Sequence, residues 1–349
     1  MTLEFFPVFD SAQSERGRFL HFWRPLREAF PGIIDSKVIP HRNVAICPYY
    51  SMILSQSDIR TQLKLEGTTL MMDSTGYQQM TLRSSASSQI DPIQVLRYQE
   101  RNGTNIAMTF DMPFRPDDTS LAEGWRRIKL SIEYAKMELK ERAEQSMRLY
   151  CVIHGWDYLS VRKVAEAVSQ CDFDGYALGA PEPLTRNMGH AAYLERLAQL
   201  ITAAKESLGD RPLHVLGIAN LSALYLMAML GVSSFDTLRY LHGAKYRDYF
   251  MPMGYNAALG RLREGGRRLR ELPCFCPICS NVTIDQLASY GSLPGALVAV
   301  HNIFALKSYV STINSALENN WFDEALDRAA RLTPALQKPI QWVKNHHKP

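Results

Sequence analysis

Short apolar segments alternate with helical segments through the middle of the chain, and this alternation constrains the fold more than any other feature of the sequence. The predicted strands cover Asn43–Cys47, Thr68–Asp73, Asn105–Phe110, Arg148–Ile153, Gly175–Leu178, His214–Ile218 and Ser234–Asp236. The predicted helices cover Ser14–Phe30, Leu121–Met147, Val161–Gln170, Ala191–Ser207 and Leu221–Leu230. Strands that alternate with helices predict a parallel sheet. Repeats of this kind over about 250 residues favour a closed (β/α)8 TIM barrel over an open sheet.

Three cysteines are clustered in the segment Cys274-Phe-Cys276-Pro-Ile-Cys279, which holds half of the chain's six cysteines. His301 follows Cys279 after twenty-one residues, in an apolar run that is typical of a helix. Three thiolates and one imidazole would complete a closed tetrahedral shell, which indicates a structural Zn2+ site. The alternative is a set of buried core cysteines that bind no metal, and so close a spacing makes this the weaker interpretation.

These patterns divide the chain into three regions. We predict an N-terminal extension at residues 1–40 and a TIM-barrel catalytic core at residues 41–260. A zinc-binding subdomain with closing helices is predicted at residues 261–349. No GxGxxG turn follows a predicted strand, which argues against a dinucleotide-binding fold. The predicted class is therefore α/β, a TIM barrel with a C-terminal zinc-binding subdomain.

The composition is that of a globular protein, with 46% hydrophobic and 21% charged residues. The net charge of +4 permits a nucleic-acid partner without requiring one. The N-terminus lacks a basic region followed by an apolar run, and no sequence window is apolar enough to span a membrane. Cys47, Cys151 and Cys171 are scattered, as reduced core thiols would be. We therefore expect a cytoplasmic protein with no membrane partner.

Three predicted strands end in an aspartate: Asp73, Asp111 and Asp236. The C-terminal ends of the strands form the catalytic face of a TIM barrel, so these carboxylates are expected on one face. Aspartate is also a common cap and turn residue, and this is the alternative for each of them. Together, three carboxylates could supply a nucleophile, a general base and an acceptor for a nitrogen-rich ligand.

Several motifs resemble those of the tRNA-guanine transglycosylases. The segment Asp73-Ser-Thr-Gly-Tyr-Gln78 resembles that family's Asp-Ser-Gly-Gly-Phe/Tyr-Gln motif. Asp172–Gly179, Val215–Ile218 and Gly231–Asp236 resemble three further family segments, and the zinc spacing and the His301-Asn302 pair match as well. The matches run in family order from about residue 40 to residue 305. The resemblance implies a zinc-bearing TIM barrel that exchanges a guanine for a 7-deazaguanine without breaking the nucleic-acid strand.

The resemblance also implies roles for the acidic residues. Asp236 resembles the nucleophile that attacks C1′ of the nucleotide, and Asp73 resembles the general acid/base that handles the proton on the bases. Asp111 resembles the acceptor that reads the polar edge of the base. These roles agree with the chemistry, because a carboxylate can capture the cationic sugar and a second one can manage the proton.

Further positions correspond to the family's base-binding residues. Gly179 and Ala180 align with a backbone segment that hydrogen-bonds the base, and Tyr77 and Leu216 align with residues that sandwich its faces. His154 stands where the family usually has a glutamine, which makes it either a base-edge contact or a loop histidine. For Tyr77 and Leu216 the alternative is ordinary core packing.

The segment that follows the predicted nucleophile departs from the family pattern. The segment Thr237–Arg247 is basic and aromatic, whereas the tRNA enzymes have there a Leu-Pro-Thr-Arg-Asn-Ala-Arg-Asn-Gly-like segment that contacts the anticodon loop. We predict phosphate contacts from Arg239, Lys245 and Arg247; the alternative is a solvated helix. The departure makes the chain similar to a divergent bacterial and phage branch that inserts preQ0 into DNA.

The sequence-based hypothesis is therefore a DNA-guanine transglycosylase, with DNA favoured over tRNA as acceptor and a free 7-deazaguanine such as preQ0 as the second substrate. A helper protein that opens the duplex and a homodimeric assembly are compatible with this interpretation. A divergent tRNA-guanine transglycosylase is the first alternative. A non-catalytic nucleic-acid-binding accessory paralogue and an unrelated zinc-stabilised barrel hydrolase are the others.

Overall fold

The structure is a computed structural model of the 349-residue chain. It describes residues 2–9, 43–46, 67, 69–74, 76, 91–114, 119–179, 189–218, 221–251, 256–258, 263–264, 267–269, 271–289 and 291–346. The predicted helix Ser14–Phe30 lies outside these residues, as do Cys47, Tyr77 and Ala180.

Eight parallel strands form a closed barrel in which each strand pairs with the next along the chain. The strands are β1 (Glu4–Phe9), β2 (Asn43–Ile46), β3 (Thr69–Met72), β4 (Ile106–Met108), β5 (Arg148–Ile153), β6 (Gly175–Leu178), β7 (Leu213–Val215) and β8 (Ser234–Thr237). Pairing of β8 with β1 closes the barrel and sets Phe6 opposite Asp236. The predicted (β/α)8 barrel is confirmed.

Helices follow most of the strands, as the alternation predicts. Those of the barrel are α1 (Pro92–Arg101), α2 (Leu121–Glu141), α3 (Tyr158–Val168), α4 (His190–Leu208), α5 (Leu221–Met229) and α6 (Arg239–Lys245). The C-terminal region adds α7 (Ile284–Ala288), α8 (Ser292–Glu318), α9 (Phe322–Leu332), a 3-10 turn at Pro334–Leu336, and α10 (Gln337–His346). Short antiparallel pairs join β9 (Asp248–Phe250) to β10 (Asn256–Ala258), and β11 (Arg263–Glu264) to β12 (Arg267–Arg268).

Two apolar layers follow from the alternation of side chains along each strand. One cluster of buried side chains lies inside the barrel and comprises Phe6, Met71, Ile106, Met108, Tyr150, Val152 and Ala177. The other, larger cluster lies between the strands and the surrounding helices and includes Leu70 and Met72, the sequence neighbours of Met71. The packed interior makes the barrel a rigid support for residues at its rim.

The N-terminal boundary predicted at residue 41 is wrong, because β1 lies inside the stretch predicted as an extension and belongs to the barrel. Helix α1 was not predicted from the sequence, which nevertheless carries two signals for its start. Asp91 caps the helix by accepting the N–H of Ile93, and Pro92 occupies its first turn. Helix α2 ends at Glu141, before the predicted end at Met147.

Helix α8 connects the C-terminal region to the start of the barrel. The side chain of Asn314 accepts the N–H of Leu3 at 2.8 Å and donates to its carbonyl at 2.9 Å. Among the described residues, Leu293–Glu318 is long and apolar enough to cross a membrane by length and composition, but 67% of its apolar window is buried inside the protein. It is thus packed as a core helix, and the cysteine cluster is inserted between β8 and this helix.

Candidate active site and metal centre

The three predicted aspartates meet at the C-terminal ends of their strands. Asp73 follows β3 directly, and Asp111 lies three residues beyond β4. Asp236 is the third of the four residues of β8. The pKa of Asp73 is raised to about 7, first by burial and then by the negative charges of Asp111 and Asp236. A carboxyl group that exchanges its proton near neutral pH suits general acid/base chemistry.

Both carboxylate oxygens of Asp111 are held by neighbouring side chains. The Ser74 hydroxyl donates to Oδ1, and Oδ2 lies 2.6 Å from Nε2 of His154. Asp111 and His154 are buried, at 5% and 3% exposure. The Ser74 N–H also donates to Asp73 Oδ1 at 2.7 Å, so one residue links the two aspartates. His154 is therefore a buried partner of Asp111 rather than a free loop histidine.

Helix α2 fixes the backbone on both sides of Asp111. Glu138 accepts the N–H of the residue before Asp111 at 2.8 Å, and Ser131 accepts the N–H of the residue after it at 2.9 Å. Arg127 donates to the carbonyl two residues beyond Asp111 at 2.9 Å. Burial raises the pKa of Glu138 well above its usual range, and the charge of Asp111 adds to this. Three side chains of one helix thus set the position of the aspartate.

One oxygen of Asp236 is tethered to the neighbouring strand end. The N–H of Gly217 donates to Oδ1 at 2.6 Å, and Nε2 of the buried His214 lies 3.4 Å from the same oxygen. Gly217 has a φ of +69°, a backbone conformation that a residue with a side chain rarely adopts. The Asp236 side chain remains 14% exposed. The described residues form no hydrogen bond to its Oδ2.

Two glycines at the barrel mouth are required by close packing. A methyl group at Gly76 would overlap the carbonyl and carboxylate of Asp111, and one at Gly179 would overlap the imidazole of His154. Gly179 also donates its N–H to the carbonyl of Ile153 at 2.9 Å. Both positions therefore accept only glycine without movement of the site.

Leu216 follows β7 and lies partly exposed at the edge of the apolar cluster inside the barrel. Its N–H donates to the carbonyl of Leu178 at 3.1 Å, which holds this turn against β6. The Leu216 side chain thus packs at the edge of the barrel interior.

The predicted nucleic-acid residues differ in accessibility. Lys245 is exposed at the end of α6, with its Nζ 5.3 Å from the ring centre of Tyr246, which is 69% exposed. Arg239 is partly buried in the first turn of α6. Arg247 is partly buried and donates to the carbonyl of Gly291 at 3.0 Å. Lys245 and Tyr246 are therefore accessible, whereas Arg247 is held against the start of α8.

The four predicted zinc ligands converge. The ligand atoms of Cys274, Cys276, Cys279 and His301 all lie within 4.8 Å of one another. Nδ1 of His301 is 3.2 Å from the sulfur of Cys279 and 3.5 Å from that of Cys276. Zinc bonds of about 2.0–2.3 Å in a tetrahedron place ligand atoms roughly 3.5 Å apart. The donor set and its spacing therefore fit a closed, structural zinc site.

Groups around the ligands fix their orientation. Nε2 of His301 lies 2.9 Å from the carbonyl of Phe250, to which it can donate, so that Nδ1 is left to bind the metal. The ring of Tyr249 stacks on His301 at 3.7 Å, and its hydroxyl lies 3.3 Å from the sulfur of Cys279. Asn302 accepts the N–H of Phe250 at 3.0 Å. Strand β9 thus anchors the metal centre to the rest of the protein.

Sequence reasoning missed Ser74 and His214 as parts of the site. Ser74 stands within the Asp-Ser motif and could have been found from it, whereas the only signal for His214 was a polar residue in an apolar strand. Of the predicted site residues, Asp73, Asp111, His154, Gly179, Leu216 and Asp236 lie together at the barrel mouth, and the zinc ligands form a separate cluster.

The chain is similar to known proteins. The chain matches the family described as queuine tRNA-ribosyltransferase over residues 44–335. Its relatives include a tRNA-guanine(15) transglycosylase of Methanocaldococcus jannaschii, 28% identical over 74% of this chain and 39% of the relative. The corresponding proteins of Pyrococcus abyssi and Methanococcus vannielii are 27% and 24% identical, over 73% and 78% of this chain and 41% and 42% of the relatives. The chain spans about two fifths of the length of these curated relatives. With its family match extending through the barrel and the zinc centre, the chain belongs to the queuine tRNA-ribosyltransferase family.

Proposed function

We propose that the protein is a guanine transglycosylase that exchanges a guanine in nucleic acid for a free 7-deazaguanine base through a covalent intermediate on Asp236. The observation that carries the proposal is the pairing of two different carboxyl groups at one barrel mouth. Asp236 has its Oδ1 tethered by Gly217 and receives no hydrogen bond at Oδ2 from the described residues, and Asp73 has a pKa raised to about 7. The first suits a nucleophile, and the second suits a proton carrier.

The exchange proceeds in two displacements at C1′ of the target nucleotide. In the first, the bond from C1′ to N9 of guanine breaks, and a bond from C1′ to Oδ2 of Asp236 forms. Asp73 gives its proton to the departing guanine. In the second, the incoming base attacks C1′, its proton passes to Asp73, and the ester to Asp236 breaks. One glycosidic bond replaces another, so the sequence needs no external energy source.

Asp111 and His154 form the base-reading edge in this proposal. Asp111 is held by Ser74 and His154 before any ligand binds, so its acceptor geometry is pre-organised. The absence of a side chain at Gly179 lets the imidazole of His154 pack against its backbone. Leu216 would contact the face of that base, which has to leave the nucleic-acid stack to reach the site. Tyr77 and Ala180 remain predicted contacts of the same base.

Two acceptors have separate support. The relatives named above are tRNA-guanine(15) transglycosylases, which favours tRNA over the DNA acceptor that the sequence motifs alone suggested. DNA remains the second candidate because Thr237–Arg247 lacks the family's anticodon-loop motif. In either case Lys245, Arg239 and Arg247 are proposed phosphate contacts, with Lys245 the most accessible. A duplex acceptor would bring in a helper protein that opens it.

The remaining parts of the proposal concern the second substrate, the setting and the alternatives. We take preQ0 as the first candidate for the free base, and a homodimer as an assembly to test. A reducing cytoplasm would keep the three zinc thiols free of disulfides.

The hydrolase alternative is wrong in its premise of an unrelated barrel, because the chain belongs to the queuine tRNA-ribosyltransferase family. The accessory-subunit alternative predicts no chemistry at Asp236.

The test uses purified protein, radiolabelled guanine, bulk tRNA and plasmid DNA, with denaturing gels to trap an adduct. We expect label in one nucleic acid and an adduct that disappears in Asp236→Asn. Asp327→Asn is the matched control, because it removes an exposed carboxylate on α9. Label in tRNA alone would select the tRNA candidate, and label in DNA alone would select the other. Neither label nor adduct with any acceptor would contradict the proposed function and favour an accessory subunit.

A further inference from the structure

A fully buried histidine lies beside the proposed nucleophile. His214 is in the middle of β7, with 0% exposure, and its ring meets the edge of Phe6 at 6.0 Å between centroids. Its Nδ1 lies 2.8 Å from the hydroxyl of Ser234, and its Nε2 lies 3.4 Å from Oδ1 of Asp236. Nε2 is buried and forms no hydrogen bond with any part of the chain that the structure describes. Nε2 therefore lies next to Oδ1 of Asp236 without being hydrogen-bonded to it.

The two neighbours of the ring determine which nitrogen carries the proton. The Ser234 hydroxyl can either donate to Nδ1 or accept from it. If Nδ1 carried the proton, the lone pair of Nε2 would face a carboxylate oxygen in a buried site, which is electrostatically unfavourable. If Ser234 donates to Nδ1, the proton lies on Nε2, the nitrogen that is 3.4 Å from Oδ1 of Asp236. The arrangement thus favours the Nε2-protonated ring.

We propose that His214 is a positioning residue that fixes the carboxylate of Asp236 for attack through Oδ2. Together with the N–H of Gly217, it provides two donors directed at Oδ1. Catalytic hydrogen bonds are often long before substrate binds and shorten in the reacting complex, so the 3.4 Å separation is compatible with this role. In the covalent intermediate Oδ2 is bonded to C1′, and Oδ1 is the ester carbonyl oxygen that the same two donors hold. The inference rests on the proposed role of Asp236 as nucleophile.

Substitution of His214 by asparagine or by glutamine distinguishes the roles of the two ring nitrogens. His214→Gln can place an amide donor near the position of Nε2, whereas His214→Asn can place one only near Nδ1. We expect His214→Gln to keep most of kcat. We expect His214→Asn to lower kcat about tenfold to a hundredfold, the effect of losing one hydrogen bond to a charged group, with KM unchanged. Equal losses in both variants, or a change confined to KM, would overturn the inference.

A measurement without catalysis tests the same inference on the wild-type protein. Long-range 15N–1H spectra of protein labelled at histidine identify the tautomer of each ring, and the signal missing in His214→Gln assigns His214. We expect the Nε2-protonated form, with a shift of that signal in Asp236→Asn. An Nδ1-protonated ring would overturn the inference. This readout needs no substrate. A wild-type protein that exchanges no base would contradict the proposed function, and the tautomer of His214 could still be measured in that protein.

Discussion

The zinc centre and the barrel mouth arrange their charged groups in opposite ways. At the zinc centre three thiols and one imidazole converge within 4.8 Å, and one Zn2+ would offset two of the three thiolate charges. At the barrel mouth three carboxylates face one another, and the pKa of Asp73 is raised to about 7 by burial and by its two neighbours. The first arrangement is closed and serves stability, whereas the second keeps an unfavourable interaction that a substrate can use.

The two regions also differ in how their residues are supported. The zinc ligands are oriented by a stacked tyrosine, a backbone carbonyl and an asparagine that ties β9 to α8. The aspartates are oriented by groups from different strands and helices, among them Ser74, His154, Gly217 and Glu138. Loss of a zinc ligand should therefore damage the fold, and loss of an aspartate should damage the chemistry.

The largest effect is expected at the nucleophile. Asp236→Asn should lower base exchange by about a thousandfold or more, since loss of a covalent nucleophile leaves only binding and electrostatic stabilisation. The unfolding temperature should stay at or above that of the wild type, because the change removes one of three mutually repelling charges. Rate assays and thermal melts, with Asp327→Asn in parallel, would check both parts. Full exchange by Asp236→Asn would refute the nucleophile assignment.

The next effect concerns the metal centre. Cys276→Ser should remove the bound zinc and lower the free energy of unfolding by several kcal/mol, because binding energy at a structural zinc site is folding energy. Elemental analysis and denaturant unfolding would measure the two quantities. Cys171→Ser is the control, since this cysteine is free and lies outside the cluster. Unchanged zinc content and stability in Cys276→Ser would show that Cys276 is not a ligand of a structural zinc site.

Asp73 should make stability depend on pH. Its pKa is raised from 3.8 to about 7 in the folded state, so between these values the folded protein binds the proton that the unfolded chain releases. Stability should therefore fall as pH rises from about 4 to about 7, by a few kcal/mol. Asp73→Asn should lack this contribution, and it should lower exchange by about a hundredfold to ten-thousandfold, the usual share of acid/base catalysis.

Denaturant unfolding from pH 4 to pH 8 would measure this difference. Asp73→Asn should be more stable than the wild type above pH 7, and the advantage should shrink towards pH 4. Glu123→Gln offers a control, because this glutamate on α2 has a pKa lowered to about 2 by Arg126 and Arg127, and thus stays charged throughout the range. If the difference in the free energy of unfolding between Asp73→Asn and the wild type were constant across this range, the pKa of Asp73 would not be raised and its carboxyl group would be ionised in the folded protein.

The smallest effect is expected at Tyr249. Tyr249→Phe removes the hydroxyl that lies 3.3 Å from the sulfur of Cys279 but keeps the ring that stacks on His301. The free energy of unfolding should fall by about 1 kcal/mol, the usual contribution of one hydrogen bond. Zinc content and base exchange should stay at the wild-type level. A loss of zinc from this variant would show that the hydroxyl, and not only the ring, keeps the thiolate in place.

Much of this arrangement could be predicted locally. Arg148–Ile153 and Gly175–Leu178 are strands with the predicted bounds, because short apolar runs between helical segments leave few alternatives. The zinc ligands were predictable because three of them lie within six residues. Asp73, Asp111 and Asp236 were identified because each follows an apolar run, and all strands of a parallel barrel end at the same face.

Other features depended on residues that are distant in sequence. Strand β1 was missed because its partners β2 and β8 are far along the chain, and closure of the barrel alone shows that it is a strand. The burial of Glu138, the bond between His154 and Asp111, and the contact of His214 with Asp236 follow from how helices and strands are packed. None of these pairs has a local pattern.

The sequence by itself determined the residue types, the alternation of strands and helices, and the spacing of the zinc ligands, since these depend on neighbours along the chain. Only the tertiary structure decided which oxygen of Asp236 is tethered, which groups hold Asp111, and how far the pKa of Asp73 rises. The reason is physical: hydrogen-bond direction and desolvation depend on distances between groups that barrel closure brings together.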